Sequence, residues 1–540
     1  MEGIERTRLV FLVIVGLALL IACIAVGYNV ISRVSIGPRP TPAEGTPSRG
    51  QPIPETHLES PPPIFAPGYD PADGLPVYIC GADSFGSYFV LQQMQMSGKD
   101  VAHGFHLGII PFSLDQTYEI SEEQRGALVR SGQWDCMLAT LESIALSSPG
   151  VVTAIVDESA GADQLWVRGI STINDLKGKR ITFSRGSVGE YFVYYALSIA
   201  RLNPRFDVTL LPQDSVAEAV AFFNSGQADA VSGWEPDIYE ARNSGGVPLL
   251  SSNQLRIIID VIVTSRHSIA NKADLVQAFH DAWFDTLKAQ LEDFDAAAAQ
   301  IAAWGHNDWT YVYPESASDD LREWLKSVAQ ADLGDNAFVM RDPRPLISRL
   351  EIARRVWAAS GLTVEDVDVA GLVNPGFVSR SAAQASLQAN GNPVNDSFSL
   401  SASAQLDITS INPDEAATLA VLPCRRFTFL PESTELTLES RRILDDCVLP
   451  TLSQSVGLFL RVKGCAAWPG PPGTYTKEEI LEFARARAQS VVDYLVSQGI
   501  DPARFIVEAT LPPEDHWETE DPAIQAEDRY VEMTLVTVGR

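Results

Sequence analysis

Phe222-Phe223-Asn224-Ser225-Gly226-Gln227-Ala228-Asp229-Ala230-Val231, followed at once by Trp234-Glu235-Pro236-Asp237, is the stretch that decides the fold. Helical spacing over Ser215–Ser225 gives way to a short apolar run over Ala228–Ser232, which reads as a strand. Ala217, Val220, Ala221 and Ala228 fall at helical or strand spacing and read as core. The same alternation extends from about Leu75 to about Gly361, as expected of an α/β domain. Strands are expected over Leu75–Cys80, Phe105–Ile110, Trp134–Leu138, Val151–Val156, Arg180–Phe183, Asp207–Leu211 and Arg256–Thr264, with helices over Gly189–Ile199, Lys272–Phe294 and Ala296–Trp304.

A chain of 540 residues exceeds what one core uses, so two or three globular units are expected. Its composition, 46% hydrophobic and 20% charged, excludes a mostly disordered chain and a multi-span membrane protein. Acidic residues outnumber basic ones 69 to 40, a formal charge of -29 that repels phosphate backbones and argues against nucleic-acid binding. The six cysteines form no CxxC, so neither a zinc ribbon nor a thioredoxin-type site is expected. His103 and His106 are three apart and could share a helix face, but a third metal ligand is not evident. The sequence has no GxSxG, P-loop or GxGxxG, so neither catalysis nor a cofactor is expected.

Two further stretches, Asp157-Glu158-Ser159-Ala160-Gly161-Ala162-Asp163 and Asp175-Leu176-Lys177-Gly178-Lys179-Arg180, join the decisive segment in extending the pattern. In this order and spacing they resemble the sulfonate/taurine/nitrate and thiamine-precursor type of periplasmic substrate-binding protein of ABC importers. The resemblance runs through roughly 290 residues. It implies a two-lobe periplasmic-binding-protein fold of the class II type over 74–365, with a cleft that closes on a small organic solute and an ABC permease as partner.

Candidate cleft residues follow from strand ends, where ligands of open α/β sheets gather. Ser184-Arg185-Gly186-Ser187-Val188-Gly189 lies between a strand and a helix, where backbone amides suit an anionic group, and offers Ser187 with Glu190 just beyond. Ser84 and Phe85 take the equivalent place after the first strand. Trp234 could wall the cleft, and Glu235 could accept hydrogen bonds from a ligand amine or amide. Asp157 stands where the chain first crosses between lobes. Plainer roles stay open: Ser187 as a helix N-cap, Trp234 as core, Glu235 paired with an Arg across the hinge, Asp157 as structure. Arg168 and Arg185 are the nearby cations, while Glu190 and Glu235 argue against a purely anionic ligand. Cys80 and Cys136, on two strands expected to be neighbours, read either as a disulfide or as two buried thiols.

Leu9–Tyr28 is twenty residues without a charge, long enough at ~1.5 Å per residue to cross a bilayer core. A membrane anchor over 9–31, behind a cytoplasmic tail of 1–8, places the bulk of the chain outside the cytoplasm, in the periplasm or at the cell surface. A lipoprotein signal ending at Cys23 and a cleaved secretory peptide are the alternatives, with the same consequence. Gly37–Pro71 holds eleven prolines and reads as an extended tether within a linker over 32–73.

A second linker is expected over 366–422, since Ser379–Ser410 is rich in Ser, Ala, Asn and Gln. Beyond it, 423–540 reads as an α+β unit of order βαβαββ, with strands over Arg426–Leu430, Leu458–Gly464, Phe505–Leu511 and Arg529–Val538 and helices over Leu438–Leu449 and Glu478–Gln498. Ala484-Arg485-Ala486-Arg487 through Leu495, with Asp528-Arg529-Tyr530-Val531-Glu532, resembles the OmpA/MotB-like carboxyl-terminal domain. That resemblance implies peptidoglycan as partner, with Arg487 and Arg529 binding a stem-peptide carboxylate. The chain departs from the family at Gly464-Cys465-Ala466-Ala467, where Ala467 stands in place of the aspartate that takes the diamino-acid amine. Arg485 and Arg487 would otherwise be solvated helix charges. Of Cys424, Cys447 and Cys465, at most two can pair within the unit. The alternative for the whole chain is a structural envelope linker whose binding domain has lost its ligand.

Overall fold

In a computed structural model, the decisive segment forms a helix over Val216–Asn224 that turns into a buried strand, Ala230–Trp234. Ser215 caps the helix by accepting from the Glu218 amide at 3.0 Å. Gly226, at φ +82°, makes the left-handed turn that stops it. Asp229 then accepts from the Arg180 guanidinium at 2.8 Å, tying the start of this strand to its neighbour.

The structure describes residues 59–112, 120–388, 398–400, 416–455 and 457–537. The run 9–31, Cys23 and most of the proline-rich tether lie outside them. Among the described residues no helix is long and apolar enough to cross a membrane. The strands in chain order are β1 (Val77–Ala82), β2 (His106–Pro111), β3 (Cys136–Thr140), β4 (Val151–Ser159), β5 (Asp163–Val167), β6 (Arg180–Ser184), β7 (Thr209–Gln213) and β8 (Ala230–Trp234). There follow β9 (Val247–Ser251), β10 (Ile259–Thr264), β11 (Val328–Gln330), β12 (Ala417–Thr428), β13 (Phe459–Cys465), β14 (Phe505–Thr510) and β15 (Tyr530–Thr537).

Two mixed sheets make two lobes. The first runs β11-β4-β10-β3-β1-β2, with β1 parallel to β2 and β3, and with β10 antiparallel to both β3 and β4. The second runs β7-β6-β8-β5-β9, with β6 parallel to β7 and β8 and antiparallel pairs at β5. The chain leaves the first sheet after β4 and returns to it at β10, so two short crossings join the lobes. Ser252 ties these crossings together: its Oγ lies 2.8 Å from the Ser159 Oγ and accepts from the Gly161 amide, also at 2.8 Å.

The helix Arg344–Ala359 straddles both lobes. Its Trp357 Nε1 donates to the Glu142 carbonyl of the first lobe at 2.8 Å. The same indole packs on Tyr191 and Tyr194 of the second, at ring-centroid distances of 5.6 and 5.8 Å. The Cys80–Cys136 disulfide joins the neighbouring strands β1 and β3.

Both stretches expected to be linkers contribute packed structure. At the end of the tether, Ile64 pairs with Ile109, Ser60 accepts from Trp134 Nε1 at 2.8 Å, and Asp73 meets His106 at 2.7 Å. Within 366–422 a helix forms over Gly376–Ala382, where Phe377 and Val378 are buried and Ser381 donates to Asp281 at 2.6 Å. Phe398 is buried, the Ser399 amide donates to Glu158 at 2.9 Å, and β12 starts at Ala417 rather than after 422. A polar average hides the few large apolar side chains that dock such segments.

The last unit is a four-stranded sheet of order β12-β15-β13-β14, mixed through the parallel pair β13 and β14. The chain runs strand, helical segment, strand, helix, strand, then a short helix Pro522–Asp528 before β15. The helix Lys477–Ser497 lies so close on the sheet that a Cβ at Gly464 would sit 1.9 Å from the Ala484 carbonyl. Cys424 and Cys447 pair, and Cys465 is a buried free thiol. This unit docks on the second lobe: Asn174 exchanges hydrogen bonds with the Val421 backbone at 2.8 and 3.1 Å. Tyr195 Oη lies 3.1 Å from Ser455 Oγ.

Candidate functional site

The C-terminal ends of β1, β3 and β8 and the turn after β6 converge between the lobes, where parallel strands leave space for a ligand. The cavity there is about 60 Å³. The first lobe contributes Asp83, Phe85, Tyr88, Phe112 and Asp260, and the second contributes Asp163, Ser187, Val188 and Trp234. A second cavity of about 380 Å³ shares Glu122, Arg125, Ser187 and Trp234 with the first and adds Arg185 and Asp214.

Three of the seven expected cleft residues, Phe85, Ser187 and Trp234, are brought together here. Ser187 is also the N-cap of the helix Val188–Ile199, accepting from the Gly189 amide and donating to the Ser184 carbonyl at 2.7 Å. The other four sit elsewhere. Ser84 donates to the Trp309 carbonyl. Asp157 is wholly buried in β4 and accepts from Ser87. Glu190 folds back on its own helix start, accepting from the Gly186 amide and from Tyr194 at 2.8 Å.

Glu235 lines a different and larger cavity, about 960 Å³, that also includes Gln164, Trp324 and Ser327. It accepts from Tyr239 and, at 2.9 Å, from Ser327 just before β11, so it struts the second lobe against the first with hydroxyls rather than an arginine. Burial raises its carboxyl above the ordinary range.

The residues that sequence reasoning passed over are mostly acidic. Asp163 is 3% exposed, and its Oδ1 has no hydrogen-bond partner. Burial pushes its pKa up to about 8, and the neighbouring Asp260 and Glu235 charges push the same way against a hydrogen bond from Ser159. Asp260 accepts from Tyr88, and burial raises it to about 6. One signal was available: Asp260 interrupts the apolar run Ile257-Ile258-Ile259-Asp260-Val261-Ile262-Val263, and a charge inside a buried strand needs a reason.

Cations are scarce at the cleft. Arg125 donates to Glu122 at 2.6 Å and lies over the Phe112 ring at 4.2 Å. Arg168 is engaged away from it, donating to the Phe223 and Ala228 carbonyls at 2.7 Å each. Arg185 is exposed at the mouth. His103 and His106 do not share a helix face: the helical turn ends at Ala102 and His106 opens β2. Their ring nitrogens meet Asp285 at 3.1 Å and Asp73 at 2.7 Å. Among the described residues no cluster of three or more such side chains could hold a metal ion.

In the last unit, Arg487 and Arg529 line one cavity of about 640 Å³ together with Ala467. Arg487 is 1% exposed, not a solvated helix charge, and donates to the Ser433 and Cys465 carbonyls at 3.1 and 3.3 Å; Arg485 is exposed. Burial and the facing Arg529 hold the Arg487 guanidinium down at about 10. Arg529 Nε is buried and has no partner.

Residues 152–297 match the family described as NMT1/THI5 like. An aliphatic sulfonates-binding protein of Escherichia coli (strain K12) is 29% identical over 170 residues, 27% of this chain, and the match spans 53% of that protein's length. Solved structures with similar backbones include the alkanesulfonate-binding protein of Xanthomonas axonopodis pv. citri bound to MOPS, at 19% identity and TM-score 0.42, covering 55% of this chain and 97% of that one. The periplasmic nitrate-binding protein of Synechocystis PCC 6803 aligns at 12% identity and TM-score 0.43, over 57% and 89% of the two chains. A desulfurization enzyme is also among them, at 19% identity and TM-score 0.37, over 57% and 99%.

Proposed function

We propose that this chain is an extracytoplasmic, non-catalytic solute-binding protein, the binding component of an ABC-type importer for a small organic solute. The observation that carries this reading is the cleft itself, whose walls come from the strand ends of two sheets joined by two short crossings. Such a site binds by drawing the lobes together on a ligand that touches both. The match of 152–297 to the NMT1/THI5 like family and the sulfonates-binding relative support it. Two disulfides fit an oxidising compartment. In this reading the run 9–31 anchors the chain in the membrane and the tether lifts the lobes toward a permease.

The last unit is an OmpA-like module for envelope or peptidoglycan association in this reading. Arg487 and Arg529 would receive a stem-peptide carboxylate, and with Ala467 beside them no aspartate supplies the ammonium partner.

One observation favours the alternative of an envelope linker that no longer binds solute: the cleft cavity is about 60 Å³ and the helix Arg344–Ala359 holds both lobes. Thermal-shift and calorimetric titration of the full chain with sulfonates, nitrate, amines and pyrimidines separates the two. A saturable ligand whose affinity drops in Trp234→Ala establishes the binding protein; no ligand at millimolar concentration establishes the linker. Retention on sacculi, abolished by Arg529→Ala, tests the module, and equal retention of wild type and variant removes the proposed role of that arginine.

A further inference from the structure

The cleft is acidic and aromatic, and its chemistry differs from what the name of the sulfonates-binding relative suggests. Its lining holds Asp83, Glu122, Asp163 and Asp260 against a single cation, Arg125. That cation already pairs with Glu122 at 2.6 Å and lies over the face of Phe112, with its Nε left unpartnered. A sulfonate or nitrate brought here would meet four carboxylates with one lining arginine, and Arg185 at the mouth, to answer it, and burying an under-compensated anion is costly.

Asp163 gives the cluster a direction. It opens β5 in the second lobe, is almost fully buried and lines the cavity, and its Oδ1 has no hydrogen-bond partner. A buried acceptor is left open only at a cost, so an unpartnered oxygen on a residue that lines the cavity suits an incoming donor. Asp260 stands across the same cavity from the first lobe, its carboxyl held by Tyr88. Aromatic rings complete the walls: Phe85, Tyr88 and Phe112 from one lobe, Trp234 from the other. Ring faces and carboxylates around a small desolvated space are the chemistry that recognises organic cations.

We propose that the cleft binds a small organic cation, an ammonium or amidinium group on a compact apolar body, with Asp163 as its principal charge partner and Trp234 as its ring wall. This rests on the solute-binding reading and names the class of solute. The cation would touch Asp163 of one lobe and Asp260 of the other, with the proton that Asp163 otherwise holds released to solvent as it enters, which makes it the bridge that closes the lobes. Asp163 and Asp260 sit among Asp157, Glu235 and Asp83, with Ser159 and Tyr88 as their hydroxyl partners.

The test is calorimetric titration of the full chain with tetramethylammonium, choline and 4-aminopyrimidine in one arm and methanesulfonate and nitrate in the other. Binding in the cation arm is expected, weakened about 10- to 100-fold by Asp163→Asn, the loss of one charge-assisted contact. Asp163→Asn retains shape and mimics the protonated carboxyl, and its thermal unfolding confirms that it folds; Trp234→Ala provides a second reading, with loss of the cation–π wall. Binding confined to methanesulfonate or nitrate overturns the cation assignment and leaves the solute-binding protein standing. Cation binding that neither variant weakens also overturns it, because the ligand then sits elsewhere. Silence in both arms, with the wild-type protein folded, overturns the assignment and the solute-binding reading together.

Discussion

Arg256 and Glu158 form a buried ion pair at 2.8 Å at the point where the chain comes back from the second lobe to the first. Glu158 lies one residue before the end of β4 and Arg256 precedes β10, so the pair spans the antiparallel junction on which both crossings depend. Glu158 also accepts from the Ser399 amide, which draws the chain beyond the lobes onto the same point. Removing one partner strands the other charge in the interior. Arg256→Ala is therefore expected to cost about 3–5 kcal/mol in urea unfolding, while an apolar replacement of both residues recovers much of it. A loss under about 1 kcal/mol would show that water reaches the pair.

The Asp163 carboxyl gives stability a pH dependence of defined sign. Its folded pKa, about 8, lies above the ordinary aspartate value of 3.8, so the folded state holds a proton that the unfolded chain releases. The neutral form is fully favourable below pH ~4, and stability falls as pH rises from there to about 8, then levels off. Asp260, raised to about 6, adds to the lower half of that fall. The urea midpoint of Asp163→Asn minus that of wild type should grow more positive between pH 5 and pH 8. A flat difference would place a charged Asp163 in the folded protein.

Gly464 has no room for a side chain, since its Cβ would meet the Ala484 carbonyl at 1.9 Å. Gly464→Ala should push the helix Lys477–Ser497 off β13 and cost roughly 1–3 kcal/mol. Circular dichroism melts of the full chain check this, and an unchanged melt would mean that the helix tolerates a shift.

The cysteines are expected to fall into distinct chemical classes. The Cys80–Cys136 loop spans 56 residues, so replacing both with alanine should lower stability by about 2–4 kcal/mol. Cys465 is buried, and burial pushes its thiol up to about 11, so maleimide should label it only after unfolding. Peptide mapping of native and denatured protein reads this directly, and native labelling at Cys465 would contradict its burial.

Much of the architecture was legible in local pattern. The helix capped by Ser215 and the strand Ala230–Trp234 follow from helical spacing that gives way to a short apolar run, all within twenty residues. The strands β5 and β9 were passed over because each is five residues long, one opening on an aspartate and the other carrying Pro248, the profile of interrupted or edge strands. The packed ends of the linkers escaped for a different reason: Ile64 sits in a proline-rich run and Phe398 in a serine- and asparagine-rich one, and nothing local says what they will meet.

Sequence by itself determined the alternation of helix and strand, the acidic balance, and the arginines set on the helix and closing strand of the last unit, because these depend on neighbours three or four residues away or on composition alone. Only the tertiary structure decided that Asp163 and Asp260 face one cavity while Glu235, adjacent to Trp234, faces another. Side chains alternate across a strand and are joined to their partners by sheet order, so two residues a hundred positions apart share a site only once two sheets have closed on each other.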